Sequence, residues 1–414
     1  MIRISKATLL AAAAFGLTIG APAAAQEQAP AQPAAKSIND FKLTKEVRNI
    51  VAAAQTQMAA GDNAGAIAKL NEALPLSKTA DDRYIIGNVM IDAASKANDQ
   101  ANQRRGVDIM IESGAITGAE LGKFQFFAGR FSYAAGEYDK ALTQLNAAKA
   151  SGYQDPQMAI LIADASLKAN KPDGLAMLRQ AVEAEVAAGR KPDEAWIKRG
   201  LAEAYKGKQA DQVAWWAQTS IKHYPTPQNW RNALLIYRDG AKLEPQADLD
   251  MLRLMRATKS LTGERDFYEY ASSANSRGLP GEAKAVIDEG RAAGAIGGDS
   301  AALKEIYTSA SGKVKADQAS LAAAEKSAAT AKDGKAAAST ADAYLGYKNY
   351  AKAAELYALA LTKGGVDANQ VNTRLGIALA LSGQKPAAKE AFAKVTGPRA
   401  GVADYWELYI DQAA

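Results

Sequence analysis

The 414-residue chain has no cysteine and only one histidine. These counts exclude disulfides, thiolate metal sites, cysteine nucleophiles and multi-histidine metal centres. Aromatic residues make up 7% of the chain, whereas sheets rely on aromatic and β-branched side chains. Alanine, the strongest helix former, recurs from end to end. The sequence therefore predicts an all-α protein that is not an enzyme and needs no metal or cofactor.

The first segment has the pattern of a secretory signal. Arg3 and Lys6 precede an apolar run at residues 7–19, and the small residues 21–25 end in an Ala-x-Ala site before Gln26. The apolar run is shorter than the roughly 20 residues that a membrane-spanning helix needs. No cysteine follows that could carry a lipid anchor. We expect a signal peptide at residues 1–25, cleaved after Ala25, and a periplasmic chain that a partner could hold at the outer membrane.

The charge balance gives little support to a nucleic-acid partner. The formal net charge is +5, and two of these charges, Arg3 and Lys6, belong to the signal segment. Lysine and arginine form no dense stripe in the remainder, which a nucleic-acid-binding surface would require. With 48% hydrophobic and 23% charged residues, the composition is that of a folded protein.

After a flexible linker at residues 26–40, one spacing of small and large residues repeats. A glycine is followed by an alanine five residues later, a large apolar residue four further on, and a small or aliphatic residue three beyond that. A fifth copy replaces the glycine with lysine, and a small residue stands seven positions before each copy. The copies are Gly61, Ala66, Leu70, Ala73; Gly136, Ala141, Leu145, Ala148; Gly278, Ala283, Ile287, Gly290; Gly383, Ala388, Phe392, Val395; and Lys348, Ala353, Tyr357, Ala360, preceded by Ala54, Gly129, Ala271, Gly376 and Ala341 respectively.

This spacing predicts a helical hairpin. The glycine ends the first helix in the left-handed conformation, and the alanine and the large residue lie on one face of the second helix. The small residues allow the two helices to approach closely. Because one hairpin cannot bury its apolar face alone, neighbouring hairpins must stack on it, and the expected product is a solenoid.

The pattern resembles the tetratricopeptide repeat, in which Trp-x2-Leu-Gly-x2-Tyr, Ala-x3-Phe and Pro recur every 34 residues. Trp196 and Trp230 are 34 residues apart, and Ala353 and Ala388 are 35 apart. The resemblance implies a right-handed α-solenoid of about ten hairpins. These would begin near residues 45, 82, 120, 156, 194, 228, 264, 298, 337 and 369, with a last helix from about residue 402.

Composition also suggests how the solenoid is divided. Residues 311–340 are rich in lysine, alanine and serine and contain Gly312 and Gly334. We expect a helix pair or helical hinge there that buries little, so that substitutions within it would be nearly silent. It would separate an N-terminal arm at residues 41–310 from a C-terminal arm at residues 341–414, which ends in a capping helix.

Several residues that could suggest chemistry have simpler explanations. His223 stands at a predicted helix end, where it can act as a cap. The carboxylate pairs Asp81–Asp82 and Asp248–Asp250 lie where helices begin, and capping accounts for them. Of the adjacent Trp215 and Trp216, at most one can face the same neighbour, so one is a candidate exposed aromatic.

In the tetratricopeptide family the first helix of each hairpin lines a concave groove that receives extended peptides. The resemblance implies groove residues that mix basic, aromatic and aliphatic side chains. They are Lys123, Phe126, Arg130 and Tyr133 in the third hairpin; Ile197, Leu201 and Tyr205 in the fifth; Arg231, Leu235 and Arg238 in the sixth; and Arg265, Tyr268 and Asn275 in the seventh.

The four arginines of this groove would favour an acidic peptide, because a guanidinium binds a carboxylate through two hydrogen bonds. The alternative is that they pair with local acids such as Asp239, Glu264, Asp266 and Glu269. We therefore expect a periplasmic scaffold that binds an envelope protein or an extended, acidic peptide. The second possibility is an accessory subunit of polysaccharide secretion or outer-membrane biogenesis. The sequence leaves the partner, the oligomeric state and the binding face open.

Overall fold

In the computed structural model, residues 41–297 and 300–412 are described, and all regular structure within these ranges is helical. The predicted signal peptide and the predicted linker lie outside them. None of the described helices combines the length and the apolar character needed to cross a membrane. The chain divides into two compact units, with the boundary between Arg190 and Lys191.

The first unit contains eight described helices, which form four consecutive hairpins. Two apolar cores fill it, one from Val47 to Ala128 and one from Phe126 to Ile162. The helices are α1 (Lys45–Ala59), α2 (Asn63–Ala73), α3 (Ala80–Lys96), α4 (Gln100–Glu112), α5 (Gly118–Ala134), α6 (Tyr138–Ala150), α7 (Met158–Lys168) and α8 (Gly174–Ala187).

The second unit contains twelve described helices around one continuous apolar core that extends from Ala217 to Ile410. A short 3-10 turn, Gly397–Arg399, leads into the last helix. The helices are α9 (Glu194–Lys206), α10 (Ala210–His223), α11 (Pro227–Ala241), α12 (Pro245–Ala257), α13 (Gly263–Ser276), α14 (Pro280–Ala292), α15 (Ala301–Thr330), α16 (Lys335–Gly346), α17 (Tyr350–Lys363), α18 (Ala368–Leu381), α19 (Lys385–Phe392) and α20 (Ala400–Gln412).

The repeated spacing forms the predicted hairpins. Every leading residue of the five copies has a positive φ, including Gly383 at 80° and Lys348 at 62°. The alanines and large residues that follow are all buried in the second helix of each pair. Lysine in the left-handed region costs more than glycine, yet the hairpin at Lys348 still forms. The expectation of an all-α fold built from helical hairpins is confirmed.

The small residue that precedes each copy allows close contact between the paired helices. A Cβ atom at Gly376 would lie 2.5 Å from the Phe392 ring, and one at Gly129 would lie 2.7 Å from the Leu145 side chain. The same arrangement recurs at Gly200, where a Cβ would lie 2.4 Å from the Trp216 ring. The large residue of one helix therefore packs directly on the backbone of its partner.

The hairpin predicted to begin near residue 298 is absent, because α15 is a single helix of 30 residues. Gly312 lies within this helix and makes no turn there. Only three α15 side chains are buried, those of Leu303, Ala310 and Ala328, which agrees with the predicted weak packing. Beyond α15, however, Ala337 and Thr340 are buried. The prediction that substitutions throughout 311–340 are nearly silent is therefore wrong at these positions.

The observed division of the chain differs from the predicted one. Residues 311–340 lie inside the second unit, and residues 341–412 share a core with residues 217–310. The reason is a set of contacts between residues far apart in sequence. The sequence pattern reports only neighbouring helices, so it could not show them.

The strongest of these contacts is a buried ion cluster centred on Asp250 of α12. Its carboxylate accepts from Arg253 at 2.7 Å, from Arg374 of α18 at 3.3 Å and from Arg399, just before α20, at 2.9 Å. Asp250 is fully buried, and each arginine is at most 4% exposed. Burial alone would raise the pKa of Asp250, but the arginines, Arg374 foremost, lower it below its usual value. The carboxylate is therefore held ionised.

Further acids neutralise the three arginines. Arg253 forms two bonds with Glu282, at 2.8 and 2.7 Å, and Tyr270 donates to the same carboxylate at 2.7 Å. Arg374 also donates to Asp342 at 2.7 Å, and Arg399 donates to Glu244. An unpaired buried charge would cost several kcal/mol. Together these bonds fix α12, α14, α16, α18 and α20 in one arrangement.

The last helix is also fixed by hydrogen bonds from its middle and from its C-terminal end. The indole of Trp406 donates to the carbonyl of Asp250 at 3.2 Å. Near the C-terminus, Gln412 donates to the carbonyl of Ile221 at 2.6 Å and accepts from the indole of Trp230 at 3.1 Å. α20 therefore packs against α10–α12 as well as against α18 and α19.

The hairpin packing predicts that Ala353→Leu destabilises the second unit by about 1–3 kcal/mol, because three extra heavy atoms must enter a filled helix contact. The measurement is urea unfolding followed by tryptophan fluorescence. All five tryptophans lie in the second unit, so the signal reports this unit alone. Ala358→Leu on the exposed face of the same helix is the control and should change stability by less than about 0.5 kcal/mol. Equal effects of the two changes would contradict this packing.

The ion cluster predicts that Asp250→Asn costs about 3–5 kcal/mol, because it leaves buried arginines without their shared carboxylate. Asp411→Asn removes the same charge from an exposed pair with Lys389 and should cost less than about 1 kcal/mol. The same fluorescence measurement compares the two. A small effect of Asp250→Asn would show that the cluster does not stabilise the unit.

Candidate functional site

The candidate site is a pair of adjoining cavities in the second unit, which we name the α9–α11 groove. The larger cavity has a volume of about 820 Å³ and the smaller about 420 Å³. Both are lined by Tyr205 and Ile236. The other lining residues are Lys208, Ala210, Val213, Ala214, Leu235, Tyr237, Asp239, Gly240, Ala241 and Tyr405 in the larger cavity, and Lys198, Leu201, Ala202, Lys206, Ala217, Ser220, Asn229, Asn232 and Ala233 in the smaller.

Local sequence signals place the helices that line this groove. The Asp193 side chain caps α9 by accepting from the Ala195 amide at 2.7 Å. Thr226 caps α11 by accepting from the Asn229 amide at 3.2 Å, and Pro227 occupies the first helical position. Such caps satisfy amides that have no partner within the helix. Both helices are therefore well-defined walls.

Another wall of the groove comes from α20. The ring of Tyr405 lies 4.9 Å from the ring of Tyr237 on α11. Gly401 allows this approach, since a Cβ there would lie 2.4 Å from the Tyr237 hydroxyl. Burial raises the pKa of both tyrosines, and the nearby Asp404 raises them further. Both phenols therefore remain neutral at physiological pH.

Three of the predicted groove residues do line one groove. Leu201 and Tyr205 of α9 and Leu235 of α11 face it, and Tyr205 is 64% exposed. The prediction for Ile197 is wrong, because this side chain is fully buried and can contact no ligand. Ile197 packs inside the hairpin. The prediction failed because the degenerate motif does not fix which face of the helix is turned to the groove.

The arginines of the sixth hairpin are not free to bind a ligand. Arg231 pairs with Asp266, and one of its contacts measures 3.2 Å. Arg238 donates to Asp248 at 2.7 and 2.9 Å and to Glu269 at 2.5 Å. The predicted acidic-peptide contacts at Arg231 and Arg238 are therefore wrong, and the alternative of pairing with local acids is correct for both.

The seventh hairpin presents a separate surface. Arg265 is exposed, Tyr268 is 42% exposed, and both line a depression of about 400 Å³ on α13 with three serines. Asn275 is half-buried on the same helix and does not line this depression. Neither Arg265 nor Tyr268 lines the α9–α11 groove.

The candidates of the third hairpin belong to the first unit. Phe126 is 1% exposed, so its prediction as a contact residue is wrong. Lys123 and Arg130 are half-buried, and the Arg130 guanidinium lies 5.9 Å from the Phe126 ring centre. Tyr133 donates to Asp164 and accepts from Lys168 at 2.7 Å. Tyr133 is thus engaged within its own unit.

The remaining candidates differ in what surrounds them. His223 lies in the last turn of α10, and partial burial, with Lys222 and Lys191 nearby, lowers its pKa. Trp216 is fully buried, whereas Trp215 is half-buried. Asp82 completes a capping box with Thr79. The capping explanation of Asp250 is wrong, because this carboxylate binds three buried arginines.

A second, polar cavity of about 230 Å³ borders the ion cluster. It is lined by Arg253, Arg256, Glu282 and Glu289 among others. Strong pKa shifts in a cavity can mark a catalytic site, but here they keep Arg253, Arg256, Glu282 and Glu289 charged. Despite burial, Arg253 lowers the pKa of Glu282, and Arg256 lowers that of Glu289. Carboxylates held ionised in this way are poor proton donors at neutral pH.

Sequence reasoning missed the residues that complete the groove. Tyr237 fits the aromatic end of the repeat motif, so the motif could have suggested it. Tyr405 lies 200 residues beyond Tyr205, and no local pattern connects the two. Only the packing of α20 on α11 brings them to one cavity.

Comparisons with known proteins return helical repeat structures. No protein-family model matches the chain, and no curated protein matches it. Among solved structures, the TPR2AB domain of yeast Sti1, in a complex with pHSP90, is 14% identical with a TM-score of 0.25, covering 71% of this chain and 97% of that one. The TPR domain of P58(IPK) is 11% identical with a TM-score of 0.25, covering 89% and 99%.

A pentatricopeptide repeat protein solved with an RNA element is 12% identical with a TM-score of 0.29, covering 87% of this chain and 61% of that one. The binding partners named with those structures belong to those proteins. The hairpins described above show an all-α helical repeat protein, and the chain is similar to the tetratricopeptide repeat structures named here.

Proposed function

We propose that this chain is a non-enzymatic scaffold that binds an extended segment of a partner protein in the α9–α11 groove. One observation supports this most directly. Tyr205, a large aromatic residue that is 64% exposed, borders both apolar cavities of the groove. Aromatic residues beside a concave apolar surface are typical anchors of protein interfaces.

The shape and chemistry of the groove suit a peptide. Two adjoining cavities can take two side chains of one extended segment. Leu201, Leu235 and Ile236 offer apolar contacts on their walls. Asn232 accepts from Gln228 at 2.9 Å through its oxygen, so its amide nitrogen can donate to a peptide carbonyl. Such a surface gains binding energy from apolar burial and places a main chain by hydrogen bonding.

Binding rather than catalysis is further supported by the titratable groups. In the described part of the chain, no three His, Cys, Asp or Glu side chains are placed to hold a metal ion together. The buried acids of the second unit are paired with arginines that keep them ionised. The groove itself is lined mainly by apolar side chains.

Site-specific photo-crosslinking in the producing cell tests this function. A benzophenone amino acid that replaces Tyr205 preserves an aromatic side chain at the groove, and we expect it to give one discrete adduct with a partner. The control position is Leu76 of the first unit, which is also exposed, at 45%, and lies outside the groove. Adducts of equal yield at both positions, or none at position 205, would count against the groove as the binding surface.

We also propose that the mature protein acts in the periplasm. The basic residues, short apolar run and Ala-x-Ala sequence of residues 1–25 support export and cleavage. N-terminal sequencing should find Gln26 as the first residue, and osmotic shock should release the protein. A chain that retains Met1, or one that only detergent extracts, would contradict this proposal.

A further inference from the structure

The larger cavity of the α9–α11 groove contains three tyrosines from three different helices. Tyr205, Tyr237 and Tyr405 come from α9, α11 and α20, and all line the same 820 Å³ space. Tyrosine rings carry negative charge on their faces and attract cations that lie over them. We name this space the tyrosine cavity. Apolar side chains such as Val213 and Leu235 complete its walls.

Acidic side chains accompany the tyrosines. Asp239 lines the tyrosine cavity and is exposed. Asp404 precedes Tyr405 on α20 and acts electrostatically on Tyr237 and Tyr405. Neither carboxylate forms a salt bridge with any residue in the described ranges. Partial burial raises the pKa of Asp404, and no cation counteracts this effect.

One polar atom in the cavity wall lacks a partner. Tyr405 is 1% exposed, and its hydroxyl forms no hydrogen bond with the described residues. A buried hydroxyl without a partner costs about 1–3 kcal/mol. A ligand group that enters the cavity and bonds this hydroxyl would remove that cost.

Basic groups on the tyrosine cavity are few. Lys208 is the single basic residue that lines it within the described part of the chain. The arginines of α11 are occupied elsewhere, since Arg231 and Arg238 pair with acids. On α20, Glu407 adds another acid near Asp404. Burial and the negative charge of Asp404 raise the pKa of Glu407. The tyrosine cavity itself is thus lined by one basic and one acidic side chain, Lys208 and Asp239, with Asp404 and Glu407 nearby on α20, whereas Lys198 and Lys206 line the smaller cavity.

We propose that the tyrosine cavity receives an arginine or lysine side chain of the partner, with the cation over the exposed ring of Tyr205 and beside Asp239, which lines the cavity, and with Asp404 nearby on α20. The methylene groups of that side chain pack on Val213 and Leu235, and a neighbouring apolar residue of the partner enters the smaller cavity. This inference rests on the proposed function. It predicts a basic ligand, whereas the sequence analysis expected an acidic peptide.

A random peptide library provides the probe. Peptides displayed on phage are selected on the full chain, and those that also bind the Tyr205→Ala variant are removed. We expect the remaining peptides to be enriched in arginine or lysine next to an apolar residue. Enrichment of acidic or purely apolar peptides would overturn the proposal, as would the absence of any enrichment.

Binding of the best synthetic peptide then identifies the contact. Replacing its basic residue with neutral citrulline or norleucine should weaken binding about tenfold, from the loss of cation–π and ionic attraction. The double variant Asp239→Asn, Asp404→Asn should weaken it by a similar factor and reduce its salt dependence. Unchanged affinity in either experiment would overturn the proposal.

Two controls separate the possible causes. Asp411→Asn removes an acid from the same helix but from a pair with Lys389, and it should leave peptide affinity unchanged. Thermal melting of each variant verifies that the exposed substitutions preserve the fold. If position 205 crosslinks to a partner while selected peptides lack basic residues, the cation proposal fails and the proposed function stands.

Discussion

A carboxylate buried among guanidinium groups decides the form of the second unit. Asp250 is fully buried, and it is stable as an anion only because arginines from α12, α18 and the turn before α20 surround it. Removing charges from water is costly, so the cluster tolerates one arrangement of these helices and penalises others. Apolar packing alone would allow more variation in the position of α20. The ion cluster thus fixes how α20 and α18 are placed against α12.

The α9–α11 groove depends on this placement of α20. Tyr405 reaches the tyrosine cavity because α20 is fixed on one side by Arg399 and Trp406 and at its end by Gln412. The opposite walls are hairpin helices in which a large side chain packs on the backbone of the paired helix, as Trp216 does at Gly200. A binding surface built on such elements is pre-organised, which reduces the entropy lost when a partner binds.

Basic and acidic residues have different uses in this unit. Two arginines that could have bound an acidic peptide, Arg231 and Arg238, are engaged in internal pairs, and Arg238 alone binds both Asp248 and Glu269. The acids Asp239 and Asp404 remain at the surface, close to aromatic rings. Counting residue types therefore does not reveal which charges a ligand could meet, because some of them are already neutralised within the chain.

The sequence by itself determined the helical hairpins, the glycine turns between them and the buried positions of each repeat, because these depend on residues within one turn–helix segment. It also found Leu201, Tyr205 and Leu235 on their helices. It wrongly assigned Phe126 and Ile197 to the groove surface, because degenerate repeats leave the rotation of a helix about its axis uncertain by about one residue. Tertiary structure alone decided the single helix α15, the cluster at Asp250 and the arrival of Tyr405 beside Tyr237. The last two features join residues more than 100 positions apart, and a local pattern contains no information about which distant charges and rings will meet.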